Sequence, residues 1–445
     1  MAASAASSST RDIGSAAPPA LRATHWEHDV YDRDALPVRV LQFGTGMLLR
    51  ALVTHAIDAA NRAGRHAGRV AVVQSTAHGV GASLAAQDGL FTVLERGTIR
   101  GEHIDRATLV GAIGPVLAAT TEWPAIEALA TSTALRAIVS NVTEAGFHLP
   151  ATDLERLGRR EWPASFPARL ALLLAARARR LGNAAPILVV IPTELVEDNG
   201  ARLAAMVHAA LAPLDPSGQL DGWVRAHVRF MSSLVDRITT GDPPASERAS
   251  IADRLGYEDA VLTVTEPYTL WAIEGDPSLL REVLPVDRPD AVVFAPDIRP
   301  LRDRKLRLLN GLHSAMAPIA LLAGLHTVRD ATQHPVIGAF MRRLLFEELA
   351  PLAPIDSAEA TAFAHAVLDR FANPWLEHAW QVIAGDQWAK TRYRVVPSLR
   401  DAATSDRTIP LLATAIGALL HWTVLHPSPT DEMASMAATF RAGTS

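Results

Sequence analysis

Lys305, Asn310 and His313 fall within one short stretch, "KLRLLNGLHSAM", and together they could reduce a carbonyl group. A lysine removed from water has its pKa lowered and can pass a proton to a carbonyl oxygen. An asparagine amide can donate to the alkoxide that develops there. A histidine can orient the rest of the molecule. The stretch reads as a helix, with Asn310 and His313 three residues apart on a shared face. Lys305 lies eight residues before His313, about 80° around the axis at ~100° per residue. All three can therefore point into one cleft. The same spacing also suits an exposed lysine beside a solvated helix cap, and spacing alone leaves both readings open.

A second group of residues could hold a dinucleotide. "VRVLQF" (38–43) is a short apolar run followed by Gly44-Thr45-Gly46 and then by a helical pattern. A cofactor turn needs one glycine for the bend and one where backbone meets pyrophosphate, ahead of a helix N-terminus. Gly44 and Gly46 meet that need. The third glycine of the usual fingerprint is missing, with Leu48 and Leu49 in its region and Arg50 close by as a cation for phosphate. A plain strand-to-helix turn is the competing reading. After the second strand, "RVAVV", come Gln74-Ser75-Thr76 and no acid to hold the adenosine ribose.

Two more stretches have double readings. In "PTELVEDNG", Glu194, Glu197 and Asp198 read as loop solvation, and Asn199-Gly200 as an ordinary turn. Alternatively, Asn199 sits at the carboxyl end of a strand, where such sheets bind ligands. In "SLVDRITTG", Asp236 and Arg237 read as a structural ion pair.

The elements that must position these residues follow from hydrophobic patterning. Apolar runs at 38–43, 69–76, 135–147 and 185–195 alternate with helical segments, which indicates an α/β fold with a parallel sheet covered on both faces. Beyond about residue 300 the pattern is helical. The expected division is a disordered leader at 1–37, Ala/Ser-rich with Pro18 and Pro19, a nucleotide-binding domain at 38–296, and a mainly helical domain at 297–445. The late stretch "IPLLATAIGALLHWTVLH" falls short of the ~20 residues a spanning helix needs, so it reads as a buried helix.

Composition narrows the function classes. The net charge of −5 comes without a long basic run, so neither nucleic acid nor an anionic membrane is an expected partner. Cysteine is absent, which removes disulfides, thiolate catalysis and Cys-type metal sites. No spacing typical of a metal site, a P-loop or a serine-hydrolase elbow appears. No metal is expected, and a cytoplasmic location is the simplest setting.

Taken in order, "QFGTGMLLRALV", "QDGLFTV", "SNVTEAGF", "PTELVEDNG", "SLVDRITTG", "KLRLLNGLHSAMAPIALLAGLHTV" and "RFANPWLEHAW" resemble the polyol-specific long-chain dehydrogenases of the mannitol dehydrogenase family. The resemblance runs from about residue 38 to 400, and its motifs look most like the tagaturonate reductase (altronate oxidoreductase) branch. It implies a Rossmann-type N-terminal domain, a mainly helical C-terminal domain, and an active site between them. It also implies NAD, with NADP as the other candidate, and a small sugar acid or polyol as substrate. The implied reaction is reversible reduction of a keto-sugar acid, tagaturonate to altronate first. Fructuronate reduction and mannitol 2-dehydrogenation are alternatives, and a non-catalytic sugar-acid-binding relative is a further one. Carried over by motif, Lys305 becomes the general acid–base, Asn199 and Asn310 hold the carbonyl oxygen, and His313 binds a substrate hydroxyl. Asp236, Lys390 and Arg392 fall at the substrate, the two cations being candidates for its carboxylate. Phe43, Gly44, Gly46 and Arg50 fall at the cofactor turn, and Asn141 with Thr143 near its ribose or nicotinamide end. Thr45 and Gln74-Ser75 depart from the branch pattern of an acidic residue and Arg-Pro, which bears on cofactor preference.

Overall fold

A computed structural model describes residues 18–426, apart from 28, 29, 144, 145 and 290. The N-terminal half contains strands β1 (Val38–Phe43), β2 (Arg69–Gln74), β3 (Phe91–Ile99), β4 (Glu102–Val110), β5 (Ile113–Ala118), β6 (Ala137–Ser140), β7 (Leu188–Pro192) and β8 (Val228–Phe230). Six of them form an all-parallel sheet in the order β5-β2-β1-β6-β7-β8. Alternate residues of β1 explain why both faces are covered. Val40 packs with Leu52, Val53 and Ile57 on one face, while Leu41 and Phe43 pack with the Phe166–Leu181 helix on the other. This is the Rossmann-type arrangement expected from the sequence.

Strand order places the ligand crevice. β1 runs to β2 on one side and the chain later returns to β6 on the other, so the sheet changes direction between β1 and β6. Their carboxyl ends are in register, with Phe43 beside Ser140 and Ser140 beside Pro192. Open α/β sheets bind ligands outside such a switch point.

Four further strands, β9 (Ser233–Asp236), β10 (Thr263–Thr265), β11 (Leu270–Glu274) and β12 (Val292–Ala295), complete two three-stranded sheets, β10-β3-β4 and β12-β11-β9. The β3–β4 hairpin turns on Arg100 and Gly101, both at positive φ, as a two-residue loop requires. The apolar-run reading did not find these two sheets. Their strands are short, or they alternate polar with apolar residues, as β4 does.

The chain before β1 also departs from expectation. Residues 1–17 lie outside the described residues, but part of the described stretch between 18 and 37 packs on the domain. Ala20 bridges Glu258, and Leu21 and Trp26 are buried with Leu90 and Tyr257. Two large apolar side chains outweigh the Ala/Pro composition.

Beyond residue 299 the described chain is helical. Arg299–Arg304, a π-helical turn at Lys305–Asn310 and Gly311–Leu322 run on as one helix. A second core gathers around its Leu312, Met316 and Ala320, with Trp380 and Phe363. The Pro410–Leu425 helix packs a single stripe, Leu412, Ala415, Leu419 and Thr423, so it is half-covered rather than fully buried. No helix of the described residues is long and apolar enough to cross a membrane.

Candidate active site

The π-helical turn sets the site. It begins at Lys305 and ends at Asn310, and its i→i+5 hydrogen bonding inserts extra chain into the helix, a feature common at functional positions. It changes the phase assumed for a regular helix. Lys305, Asn310 and His313 nevertheless all line one cavity of about 330 Å³. The opposite wall comes from the N-terminal half, through Leu48, Leu195 and residues 235–238.

Lys305 is held in place. Its Nζ donates to the Val235 carbonyl at 2.7 Å and lies 3.7 Å from Asp236 Oδ1, with the side chain 14% exposed. Burial pulls its pKa below the ordinary lysine value, partly opposed by the Asp236 charge. One of its three N–H groups is committed to Val235, and Asp236 attracts the charge from beyond hydrogen-bond distance, so proton-donating capacity remains for the cavity.

Behind Lys305 stands a buried ion cluster. Arg370 donates to both Asp236 oxygens, at 2.8 and 2.9 Å, and to both Glu266 oxygens, at 2.8 and 2.9 Å. Such two-pronged pairing is the strong form of an ion pair. Burial pushes the Asp236 carboxyl up, but Arg370 and then Lys305 outweigh it and hold it below its ordinary value. For Glu266 burial wins over Arg370, and its pKa is raised. Asp236 and Arg237 do not pair with each other as expected. Neighbouring residues at a strand end point to opposite sides, and Arg237 pairs instead with Glu95 at 2.6 Å.

The other helix residues differ in character. The Asn310 amide side chain makes no hydrogen bond among the described residues and is free for a ligand. His313 is buried, stacked on Phe371 at 4.2 Å, and meets the His378 ring edge-on at 4.9 Å. Its Nε2 has no partner. Burial, then His378 and Arg370, hold its pKa well below 6.5, so the ring is neutral.

Asn199 stands elsewhere. Its amide nitrogen donates to the carbonyls of Pro192, Glu194 and Ser233, and its oxygen accepts from Ser233 N–H at 2.9 Å. Every polar atom is used, and the residue does not line the cavity. It ties the end of β7 to β9. Gly200 is no ordinary turn residue either, because a Cβ there would lie 2.4 Å from the Ser232 nitrogen.

Of the expected carboxylate cations, Lys390 lines the cavity with its Nζ on the Ile383 carbonyl at 2.9 Å. Arg392 is exposed and lies over the Tyr393 ring. Arg394, one helical turn beyond Lys390, faces the cavity in its place.

At the cofactor turn, Gly44 has φ +126°, and a Cβ there would lie 2.9 Å from Leu49 Cδ1 and 3.0 Å from the Asn141 carbonyl. A Cβ at Gly46, just before the helix, would meet nothing within 4 Å. A tight bend followed by an open glycine at a helix start is the pattern that accepts pyrophosphate. Phe43 contributes backbone only, its ring being buried against Phe166. Arg50 also differs from expectation. It is buried behind the turn, donating to the Thr45 carbonyl and to Thr263 Oγ1 at 3.0 Å. It braces the loop from inside, and burial lowers its pKa to about 10. Asn141 donates to Thr193, and Thr143 Oγ1 accepts from Gly146 N–H. Glu194, read from sequence as a solvated loop residue, is buried and accepts from Val142 N–H at 2.8 Å and Ser140 Oγ at 3.1 Å. It fixes the 140–143 loop beside the β1 turn.

Residues 38–283 match the mannitol dehydrogenase Rossmann domain, and residues 297–436 match the mannitol dehydrogenase C-terminal domain. The altronate oxidoreductase of Bacillus subtilis (strain 168) is 36% identical over 400 residues, 88% of this chain and 82% of that protein. That of Klebsiella pneumoniae (strain 342) is 35% identical over 387 residues, 86% and 79% of the two chains. Among solved structures, Pseudomonas fluorescens mannitol 2-dehydrogenase aligns over 92% of this chain and 85% of its own, with TM-score 0.69 and 23% identity. A D-sorbitol dehydrogenase aligns over 88% and 82%, with TM-score 0.76 and 21% identity. These two show a shared fold. With both family domains matched in order over most of the chain, the protein belongs to the mannitol dehydrogenase family.

Proposed function

We propose that the protein reduces a keto-sugar acid reversibly with NADH, tagaturonate to altronate being the first candidate. The chain is an oxidoreductase acting on CH–OH groups, a polyol or sugar-acid dehydrogenase. The choice of an acid rests on one observation. Lys390 and Arg394 line the cavity without a carboxylate partner among the described residues, and its one acid, Asp236, is already shared by Arg370 and Lys305. That surplus of positive charge suits an anionic substrate and disfavours a neutral polyol.

The cofactor fits the crevice between β1 and β6, where Gly44 makes the bend and Gly46 leaves room. Bound there, a nicotinamide supplies the hydride. NAD is favoured because residues 74–81, "QSTAHGVG", contain neither Arg nor Lys to meet a 2′-phosphate. Lys305 donates its cavity-facing proton to the keto oxygen, and takes one from the hydroxyl in reverse. Val235 and Asp236 keep the ammonium aimed, and burial lowers the cost of giving up the proton. The Asn310 amide donates to the same oxygen as negative charge grows, a contact typically worth ~3 kcal/mol of barrier. Neutral His313 offers Nε2 to a substrate hydroxyl. Asn199 acts at one remove, by fixing the strand ends that carry Val235 and Asp236.

The test follows cofactor absorbance with NADH or NADPH and tagaturonate, fructuronate or fructose. Oxidation of NADH with tagaturonate is expected. Turnover with fructose alone contradicts the acid reading, and no turnover with any pair favours a non-catalytic relative.

A further inference from the structure

The helix Gln387–Arg394 presents Lys390 and Arg394 to the same cavity, four residues apart. Like charges at this spacing repel each other. Lys390 is anchored on the Ile383 carbonyl. Arg394 is not comparably held. Its one side-chain hydrogen bond among the described residues is a long one, Nη1 to Ser314 Oγ at 3.4 Å, and no carboxylate there pairs with it. The other cavity-lining arginines are neutralised, Arg370 by Asp236 and Glu266 and Arg237 by Glu95. Arg394 is half-buried, and burial lowers its pKa with nothing opposing it. A partly desolvated guanidinium without an acid is costly unless a ligand completes it.

Position adds to the argument. A Cβ on Gly311 would lie 3.1 Å from the Arg394 carbonyl oxygen, so the end of this helix packs directly on the residue after Asn310. The backbone that carries Arg394 therefore lies against the turn that carries Asn310, and both residues line the one cavity. A guanidinium fork matches a carboxylate in two hydrogen bonds, and Ser314 steadies one arm of it.

We propose that Arg394 binds the substrate carboxylate and is the residue by which this site selects a keto-sugar acid over a neutral ketose. The assignment rests on the keto-acid reading above. The test compares wild type with Arg394→Leu, Arg394→Gln and Arg394→Lys, NADH binding serving as the check on folding. Selectivity is read as kcat/KM for tagaturonate over fructose, or as the ratio of inhibition constants for gluconate and sorbitol. The ratio is expected to fall about 100-fold in Arg394→Leu, mostly through KM, with part recovered in Arg394→Lys. Should Arg394→Leu fail to bind NADH, Arg394→Gln carries the same expectation. An unchanged ratio, or equal losses with acid and neutral ligands, overturns the Arg394 assignment while leaving the keto-acid reading standing. A wild-type preference for fructose over tagaturonate overturns both.

Discussion

The Asp236 carboxylate lies 3.7 Å from the Lys305 ammonium while both its oxygens are held by Arg370. Its charge raises the lysine pKa against the lowering effect of burial. In Asp236→Asn that support is gone, and the Lys305 pKa falls further. Reduction needs the protonated lysine, so its loss of rate with rising pH should move to lower pH. Oxidation needs the neutral lysine, so its gain of rate should also begin at lower pH. The pH dependence of kcat/KM in both directions checks this, and an unmoved profile would separate Asp236 from Lys305.

Arg370 should matter to stability as much as to activity. Arg370→Met leaves Glu266 buried without its cation and Asp236 with Lys305 alone, and breaking such a cluster from one side costs roughly 3–5 kcal/mol. Burial, which already raises the Glu266 pKa, then acts without the opposing Arg370 charge, and that pKa moves further above its unfolded value. Stability from such groups is present at acid pH and lost as pH rises through the folded value. The gap in denaturation midpoint between variant and wild type should therefore narrow on acidification. A gap that widened at low pH would argue against this ion cluster.

Asn199 separates two roles cleanly. All its hydrogen bonds go to backbone groups of residues 192, 194 and 233. Asn199→Ala leaves buried carbonyls unpaired and should cost about 1–3 kcal/mol of stability, with activity falling because β9 is less well held. Urea denaturation beside turnover checks it. Lost turnover at unchanged stability would instead return Asn199 to direct contact with substrate.

The two turn glycines should behave differently. Gly44→Ala meets Leu49 and the Asn141 carbonyl at a positive φ, and should lower both stability and NADH affinity. Gly46→Ala meets nothing in the protein, so it should spare stability and weaken NADH binding alone. Calorimetric titration and thermal unfolding together distinguish them.

What was legible in the sequence was local. Lys305, Asn310 and His313 share one helix, and Gly44 and Gly46 share one turn, so spacing brought each set near one another, although the π-helical turn that sets the helix phase was not visible in it. The partners of Asp236 were not legible, because Arg370 lies 134 residues away and reaches Glu266 across 104. Arg392 and Arg394 differ only in helical phase, and only packing shows that Arg394 continues the face of Lys390. Glu194 looked like a solvated loop residue because nothing nearby in sequence reveals that its hydrogen-bond donors, Ser140 Oγ and Val142 N–H, lie in the 140–143 loop. Arg50 stood where a phosphate contact was expected, but its partner Thr263 is 213 residues distant.

The central claim is that Lys305 moves the proton. Single-turnover reduction by Lys305→Ala, with NADH affinity measured on the same preparation, tests it most directly. The expected result is a loss of at least ~10³-fold in rate with NADH affinity retained. Turnover within tenfold of wild type would contradict the account.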